Sequence, residues 1–284
     1  MTRLYSIIEK LHNVYEIGYK ISILETRINC TTNRTYYGEM LFTKIVQHTG
    51  SVIRLLPNLE TSNERWIDID VSSIASLTRD VMEAFSVFQH ICIDKLSEEE
   101  FEFRIHLLSH HQSCDMLKII ELLGFDSDNS TSSFYKWIKQ CTSLYLTQSN
   151  FYQNLDNKLK QRLLKGDKAF LRNLSEISND SIGVEAQSAL YRLFSTSTHS
   201  FPLGIQNVTG GGSKNPLNKQ HLLSLSTRAC VLYLSLSIRN YIRLRWRHGK
   251  LLTDEEKSFI HIESKRNFIE EWILTVKEQE QILC

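Results

Sequence analysis

Apolar residues recur at three- and four-residue intervals through most of the chain, a pattern typical of amphipathic helices. The first such run is Leu4–Leu24, and the period resumes over Tyr36–Leu56, where Pro57 predicts a stop. Alternation with a period of two, which would indicate strands, does not persist over several residues anywhere. The sequence therefore predicts an all-α protein, a multi-helix bundle with long antiparallel helices.

The segment Asp70–Ile93 is the longest apolar stretch that still carries charge at helical spacing, and we expect it at the centre of the bundle. Asp70 or Ser72 is suited to cap its first turn. Arg79 and Glu83 stand four residues apart and share a face with His90, so this polar strip is expected to be buried or half-buried. The strip is either a polar site inside the bundle or a surface ion pair on an amphipathic helix.

The next predicted helix begins at a capping box, Ser97 followed by Glu100, and ends at Gly124. The short connection favours antiparallel pairing with the central helix. Arg104 and His111 lie two turns apart on one face, and we expect them to approach Arg79 and Glu83 as substrate-binding residues. Although histidines are frequent here, no acidic residue completes a ligand set at the spacing of known zinc motifs, so neither a metal site nor a cofactor is predicted.

The polar loop Phe125–Ser133 divides the whole chain into two helical halves, 1–124 and 134–284. We expect these halves to form one continuous domain. The glycine-rich stretch Gly204–Asn218 is predicted to be a loop. The other predicted helices are Phe134–Tyr145, Phe151–Leu164, Lys168–Ile177, Val184–Thr198, Gln220–Arg247 and a last one from Thr253 through Trp272.

Composition excludes few functions, but it indicates which cellular compartment and which kinds of partner to expect. The 33 basic and 32 acidic side chains give a net charge of +1, so nucleic-acid binding would require a local basic patch. The six cysteines are scattered without paired ligand spacing, which favours a reduced, cytoplasmic setting. Ala229–Ile238, the most apolar run, has about half the ~20 residues that a membrane span needs, so no membrane association is expected. We expect a homo-oligomer.

One local basic patch is present near the end of the chain. The sequence RLRWRH places Arg243, Arg245 and Arg247 around Trp246, with Lys250 close by. Cations beside an aromatic ring suit phosphate or single-stranded nucleic acid. The candidates for substrate binding are therefore Arg243, Arg245, Trp246 and Arg247. The alternative is a basic helix terminus that complements the helix dipole and pairs with the acidic residues 254–256.

Four segments, in the order IDIDVSSIASLTRDVMEAF, SEEEFEFRIHLL, QRLLKGDKAFL and YRLFSTSTHSFP, resemble an uncharacterised family of bacterial all-helical proteins. The resemblance covers roughly Tyr36–Pro202. The architecture of this family is similar in a general way to that of HEPN proteins, a class rich in RNase toxins and phage-defence components. The resemblance implies an RNA substrate and metal-independent cleavage that uses the 2′-hydroxyl, carried out by an R-x(4–6)-H motif.

Three places fit that spacing: Arg104 with His110 or His111, Arg192 with His199, and Arg243 with His248. In each, the residue after the arginine is Ile or Leu, where the HEPN motif usually has a polar residue. Arg192 and His199 are the candidate catalytic pair, because both lie near a helix end, where the guanidinium can hold a phosphate and the imidazole can exchange a proton.

The sequence thus predicts a HEPN-like helical protein, a candidate RNase in a toxin or phage-defence setting. The alternative, from another class, is a non-catalytic helical module that binds a partner protein and regulates or scaffolds it. In that alternative the Arg79 and Glu83 strip is structural, and the contact is made by the loop Gly204–Asn218 or by the terminal helices. An exposed apolar patch would favour the second interpretation.

Overall fold

The computed structural model describes residues 2–23, 32–57, 69–171, 182–197 and 219–274. All regular structure within these ranges is helical, and no strand occurs among them, so the all-α prediction is confirmed. The helices are α1 (Thr2–Ile23), α2 (Asn33–Leu55), α3 (Val71–Phe88), α4 (Glu98–Leu123), α5 (Ser130–Gln148), α6 (Asn150–Gln153), α7 (Asn157–Leu164), α8 (Gly183–Ser197), α9 (Lys219–Leu244), α10 (Asp254–Glu263) and α11 (268–274).

These helices belong to two compact units. The first comprises residues 1–93 and 175–284, and the second comprises residues 94–174. The second unit, with α4–α7, is therefore inserted in sequence between α3 and α8 of the first. The loop at 125–133, expected to separate two halves of the chain, lies inside the second unit.

The most deeply buried helix of the first unit is α9. Every residue from His221 to Ile238 is buried, because α1, α2, α3 and α10 all pack on it. Two of its buried hydroxyls bond their own helix: Thr227 donates to the carbonyl of Leu223 at 2.8 Å, and Ser237 donates to that of Tyr233 at 2.6 Å. This satisfies a buried polar group without an outside partner. By length and composition α9 could also cross a membrane, but its apolar window is wholly buried against other helices, as it is in many core helices.

Helix α3 packs against α2, α8 and α9, in agreement with its predicted place in the core. The Asp70 side chain caps it by accepting a hydrogen bond from the backbone N–H of Ser73 at 3.0 Å. After Phe88 the chain forms a π-helical turn, Gln89–Ile93, which the sequence pattern did not predict. Because that turn uses i→i+5 bonds, the 3.6-residue period that placed His90 beside Arg79 does not hold there.

In the second unit, α4 packs mainly on α5, whereas the sequence suggested α3 as its partner. The predicted caps of α4 are confirmed, since Ser97 accepts from the N–H of Glu100 at 3.1 Å and Gly124 adopts the left-handed conformation. Helix α5 begins at Ser130, four residues earlier than predicted. The reason is Asp126, whose carboxylate accepts hydrogen bonds from the backbone N–H groups of the first turn.

Several predicted helices have different bounds. The helix expected over 151–164 is split into α6 and α7, because Asp156 caps a new helix at Asn157. The predicted helix from Lys168 is not formed as far as residue 171, and its remainder lies outside the described residues, as does the loop 204–218. The last predicted helix ends at Glu263 and resumes only at 268. The bounds predicted for α1, α2 and α8 agree to within a few residues.

The second unit provides a matched pair of glycines to test its packing. Gly124 and Gly166 both have positive φ, +63° and +75°. An added Cβ would meet open space at Gly124 but would collide with the Cys114 side chain at Gly166. We expect Gly124→Ala to lower the free energy of unfolding by about 1 kcal/mol, the cost of the left-handed backbone. Gly166→Ala should cost a further ~1–3 kcal/mol from overpacking, measured by urea unfolding. Equal losses would contradict the close contact with Cys114.

Candidate functional site

The predicted polar strip on α3 is a three-residue cluster with α8. Arg79 donates from Nε to Glu83 at 2.9 Å and from a terminal nitrogen to the Tyr191 hydroxyl at 3.0 Å. Burial and the hydrogen bond to Glu83 raise the pKa of Tyr191, so this hydroxyl stays protonated and bridges the two charged groups. The guanidinium is therefore engaged in linking α3 to α8, and the cluster is half-buried rather than enclosed in the core.

The candidate catalytic pair is only partly described. Arg192 is exposed on α8, one residue after Tyr191, and His199 lies outside the described residues. Tyr191 itself was not among the predicted site residues, and nothing in its sequence spacing distinguishes it from the other tyrosines. The structure thus brings Tyr191, rather than Arg192, to the Arg79 and Glu83 strip.

Arg104 and His111, predicted to join the same site, belong to the second unit. Arg104 is buried and donates to Glu100 at 2.6 Å and to Asp94 at 3.2 Å. Two carboxylates around one buried guanidinium compensate the charge and fix the start of α4 against the preceding segment. These bonds give Arg104 a structural role in the second unit.

His111 and its neighbour His110 attach the end of α7 to α4. His111 lies 2.6 Å from the Gly166 carbonyl through Nδ1, and His110 lies 3.0 Å from the Leu164 carbonyl through Nε2. On its other nitrogen, His110 contacts the Thr142 hydroxyl of α5 at 3.1 Å. Burial lowers the pKa of His110, so at neutral pH the ring is neutral, with Nε2 donating to Leu164. Both rings thus bind backbone carbonyls of the same turn.

The basic cluster that follows α9 is presented on a turn. Trp246 is 60% exposed, with the Lys250 ammonium 4.6 Å and the Arg247 guanidinium 5.7 Å from its ring centre. Arg243 is also exposed, but Arg245 is buried and does not share this surface. The turn therefore carries an exposed tryptophan with two cations over its ring. Of the four predicted residues, Arg243, Trp246 and Arg247 are on the surface.

The turn has a buried aromatic base. His248 packs edge-on against Tyr241 with ring centres 5.6 Å apart, and Tyr241 stacks on Phe42 of α2 at 4.2 Å. Burial and the charge of Arg245 lower the pKa of His248, so its ring behaves as a neutral packing group at neutral pH.

Two of the carboxylates that could neutralise this cluster have other partners. Glu256 accepts a hydrogen bond from Lys20 of α1 at 3.0 Å and also caps α10 through the backbone N–H of Thr253. Asp254 pairs with Lys257 in the first turn of α10. The alternative interpretation was that the acidic segment 254–256 pairs with the arginines. Asp254 and Glu256 pair with lysines instead, so these two carboxylates do not cancel the positive charge around Trp246.

A charged pocket of the first unit was not predicted from sequence. Its empty volume is about 290 Å³, counting the part open to solvent. Glu263, which is buried, binds Arg266 at 2.7 Å and Lys10 at 3.2 Å, while Glu271 binds Arg228 at 2.6 Å and Arg266 at 2.7 Å. Its apolar wall is formed by Ile7, Val231, Leu232 and Phe268. The five charges come from α1, α9 and the end of the chain, so no local motif could have revealed them.

Metal and thiol chemistry find little support in the part of the chain that is described. No group of three or more His, Cys, Asp or Glu side chains is placed to hold a metal ion there. Cys92 and Cys230 are buried, and burial raises the pKa of each to about 12. A protonated thiol in an apolar setting is a poor nucleophile and a poor ligand.

The carboxylates of the pocket make the free energy of unfolding depend on pH. Burial raises the pKa of Glu271, but hydrogen bonding to Arg266 and the two guanidinium charges outweigh it and lower the pKa below its ordinary value. A carboxyl with a depressed folded pKa contributes stability above its unfolded pKa, and this contribution is lost as pH falls through the folded pKa. We expect Glu271→Gln to reduce the loss of unfolding free energy between about pH 6 and about pH 3.5, a range that spans the ordinary Glu pKa of about 4.3.

The control is Glu270→Gln, which removes an exposed carboxyl from the adjacent position of α11. Urea unfolding of both variants and of the wild type, at both pH values, makes the comparison. A Glu271→Gln protein with the wild-type pH dependence would contradict the assignment.

Comparison with known proteins assigns no family to this chain. No model of a protein family, no curated protein and no solved structure matches it. The resemblance to HEPN proteins accordingly stays a prediction, and function has to be argued from the residues described above.

Proposed function

We propose that this chain is a helical RNA-binding protein that holds a single strand on the turn after α9. The observation that carries the proposal is the exposed Trp246 ring with Lys250 and Arg247 beside it. A large apolar ring in water is unfavourable unless something covers it, and a nucleobase can do so by stacking. The flanking cations match the phosphates on either side of such a base.

The charge of the whole chain indicates that RNA would be attracted by one basic cluster rather than by the protein as a whole. Net charge is only +1, so the electrostatic attraction for a polyanion must come from this cluster. Single-stranded nucleic acid fits better than a duplex, because a duplex hides its base faces and leaves the Trp246 ring without a stacking partner. RNA rather than DNA is proposed on the sequence resemblance to HEPN proteins.

The same resemblance extends the proposal to cleavage, in a bacterial toxin or phage-defence setting in the cytoplasm. Arg192 would hold the scissile phosphate, and its exposed position on α8 is compatible with that role. His199 would take the proton of the 2′-hydroxyl, whose oxygen attacks the phosphorus as the P–O5′ bond breaks. The imidazolium would then protonate the leaving 5′ oxygen, which gives a 2′,3′-cyclic phosphate and a 5′-hydroxyl.

Binding at Trp246 is tested by Trp246→Ala and the fluorescence anisotropy of a labelled single-stranded RNA. Loss of one stacked base costs about 1–3 kcal/mol, so we expect affinity to fall by about 5- to 150-fold. Trp137→Ala is the matched control, since that tryptophan is equally exposed, at 60%, but lies on α5. Equal affinity of Trp246→Ala and wild type would refute the proposed surface.

The charge contribution is tested by Arg243→Gln in a salt series. If Arg243 neutralises one phosphate, the slope of log K against log salt should become shallower by about 0.7. An unchanged slope would leave Arg243 outside the interface. Parallel titrations with DNA of the same sequence measure the preference for RNA.

Cleavage is tested with His199→Ala, using tRNA and total RNA as substrates. General acid–base catalysis contributes about 10²–10⁴-fold, so the variant should lose activity by a factor in that range. His12→Ala, which removes an exposed histidine of α1, is the control. Equal product formation by both variants, or none by the wild type, would confine the protein to RNA binding.

A second function, that of a non-catalytic scaffold, is favoured by one specific observation. The second unit carries seven exposed large apolar side chains between residues 119 and 144, and exposed apolar side chains are what a partner-binding module would present.

A further inference from the structure

Seven large apolar side chains are exposed within one short stretch of the second unit. Leu122, at 83%, is the most exposed of them. They stand at the end of α4, in the turn, and along α5: Ile119, Leu122, Leu123, Phe125, Phe134, Trp137 and Leu144. Isolated exposed apolar residues are ordinary, but a group of this density marks an interaction surface.

The part of this surface on α5 has coiled-coil spacing. Phe134, Trp137, Cys141 and Leu144 are separated by three, four and three residues, and all four are exposed. This is the a–d–a–d pattern of a heptad seam, which buries itself against another helix with the same pattern. We name these four residues the α5 stripe.

We propose that the α5 stripe pairs with the α5 stripe of a second copy of this chain, in antiparallel orientation. In such a seam, a positions face d positions of the partner. The large Trp137 would then face the small Cys141 of the other copy, and Phe134 would face Leu144. Parallel pairing would instead stack tryptophan on tryptophan and cysteine on cysteine, which fills the layers poorly.

Charge on α5 is compatible with an identical partner. The positions beside the stripe are occupied by the uncharged residues Ser133, Ile138, Gln140 and Tyr145. At 100° per residue, the two lysines of α5, Lys136 and Lys139, lie roughly 120° and 180° round the helix from the centre of the stripe. Two copies can therefore meet without bringing like charges together. A charged partner helix would find no complementary charge along this seam.

The test is sedimentation equilibrium of the full chain over a range of concentrations. The wild type should be a dimer, and Trp137→Glu should raise the dissociation constant by about 30-fold or more, because a central aromatic anchor is replaced by a charge. Trp246→Glu is the matched control, since it changes an equally exposed tryptophan outside the stripe and should leave the dimer intact. Leu144→Glu repeats the test at the end of the stripe, in case Trp137→Glu does not fold.

Orientation is tested by disulfide formation between two variants, Phe134→Cys and Leu144→Cys, each with Cys30, Cys141 and Cys284 replaced by Ser. Antiparallel pairing predicts a cross-link only when the two proteins are mixed, whereas parallel pairing predicts a cross-link in each protein alone. A wild-type chain that is monomeric throughout, or that is monomeric and floats with lipid vesicles, would overturn the proposal, as would a dimer insensitive to both glutamate substitutions. RNA binding by Trp246 is independent of either outcome.

Discussion

The complete burial of α9 is the constraint on which the first unit depends. A helix buried on every side needs neighbours all round, and α1, α2, α3 and α10 provide them from segments distant in sequence. The apolar side chains of α9 supply the driving force, while Thr227 and Ser237 avoid a desolvation cost by donating to carbonyls of the previous turn. The first unit is therefore organised around a helix near the end of the chain, and α3 is one wall of that arrangement.

Two charged features of the first unit, the pocket around Glu263 and the basic turn at Trp246, lie along α9 or at its end. Arg228 lies on the buried part of the helix, so its guanidinium requires carboxylates close by, and Glu271 supplies one at 2.6 Å. At the other end the helix emerges from the core after Tyr241. Cations there are stabilised by the C-terminal end of the helix dipole, and Arg243 and Arg247 are exposed. One helix thus produces a paired cluster where it is buried and an exposed basic surface where it ends.

Local signals in the sequence were reliable, and long-range partnerships were not. Asp70, Ser97 and Thr253 were each expected to begin a helix and do so, because a cap depends on residues only three positions away. The partner of α4 depends on tertiary packing, to which helical periodicity gives no access. Glu100, by contrast, lies one turn before Arg104 on the same helix, so that pair follows from local spacing. The exposed Trp246 could be suspected from its basic neighbours, whereas the pocket around Glu263 draws on three separate segments and had no local signal.

The two exposed tryptophans show how the same observation leads to different inferences. Each is 60% exposed, so exposure alone cannot separate a nucleic-acid surface from a protein interface. What separates them is their surroundings: Trp246 has two cations against its ring, whereas Trp137 lies in a row of apolar residues with uncharged flanks. A cationic margin attracts phosphate and opposes a second copy of the same charged surface. An uncharged apolar row has no cation that could bind a polyanion. It can, however, pack against the same row of an identical helix.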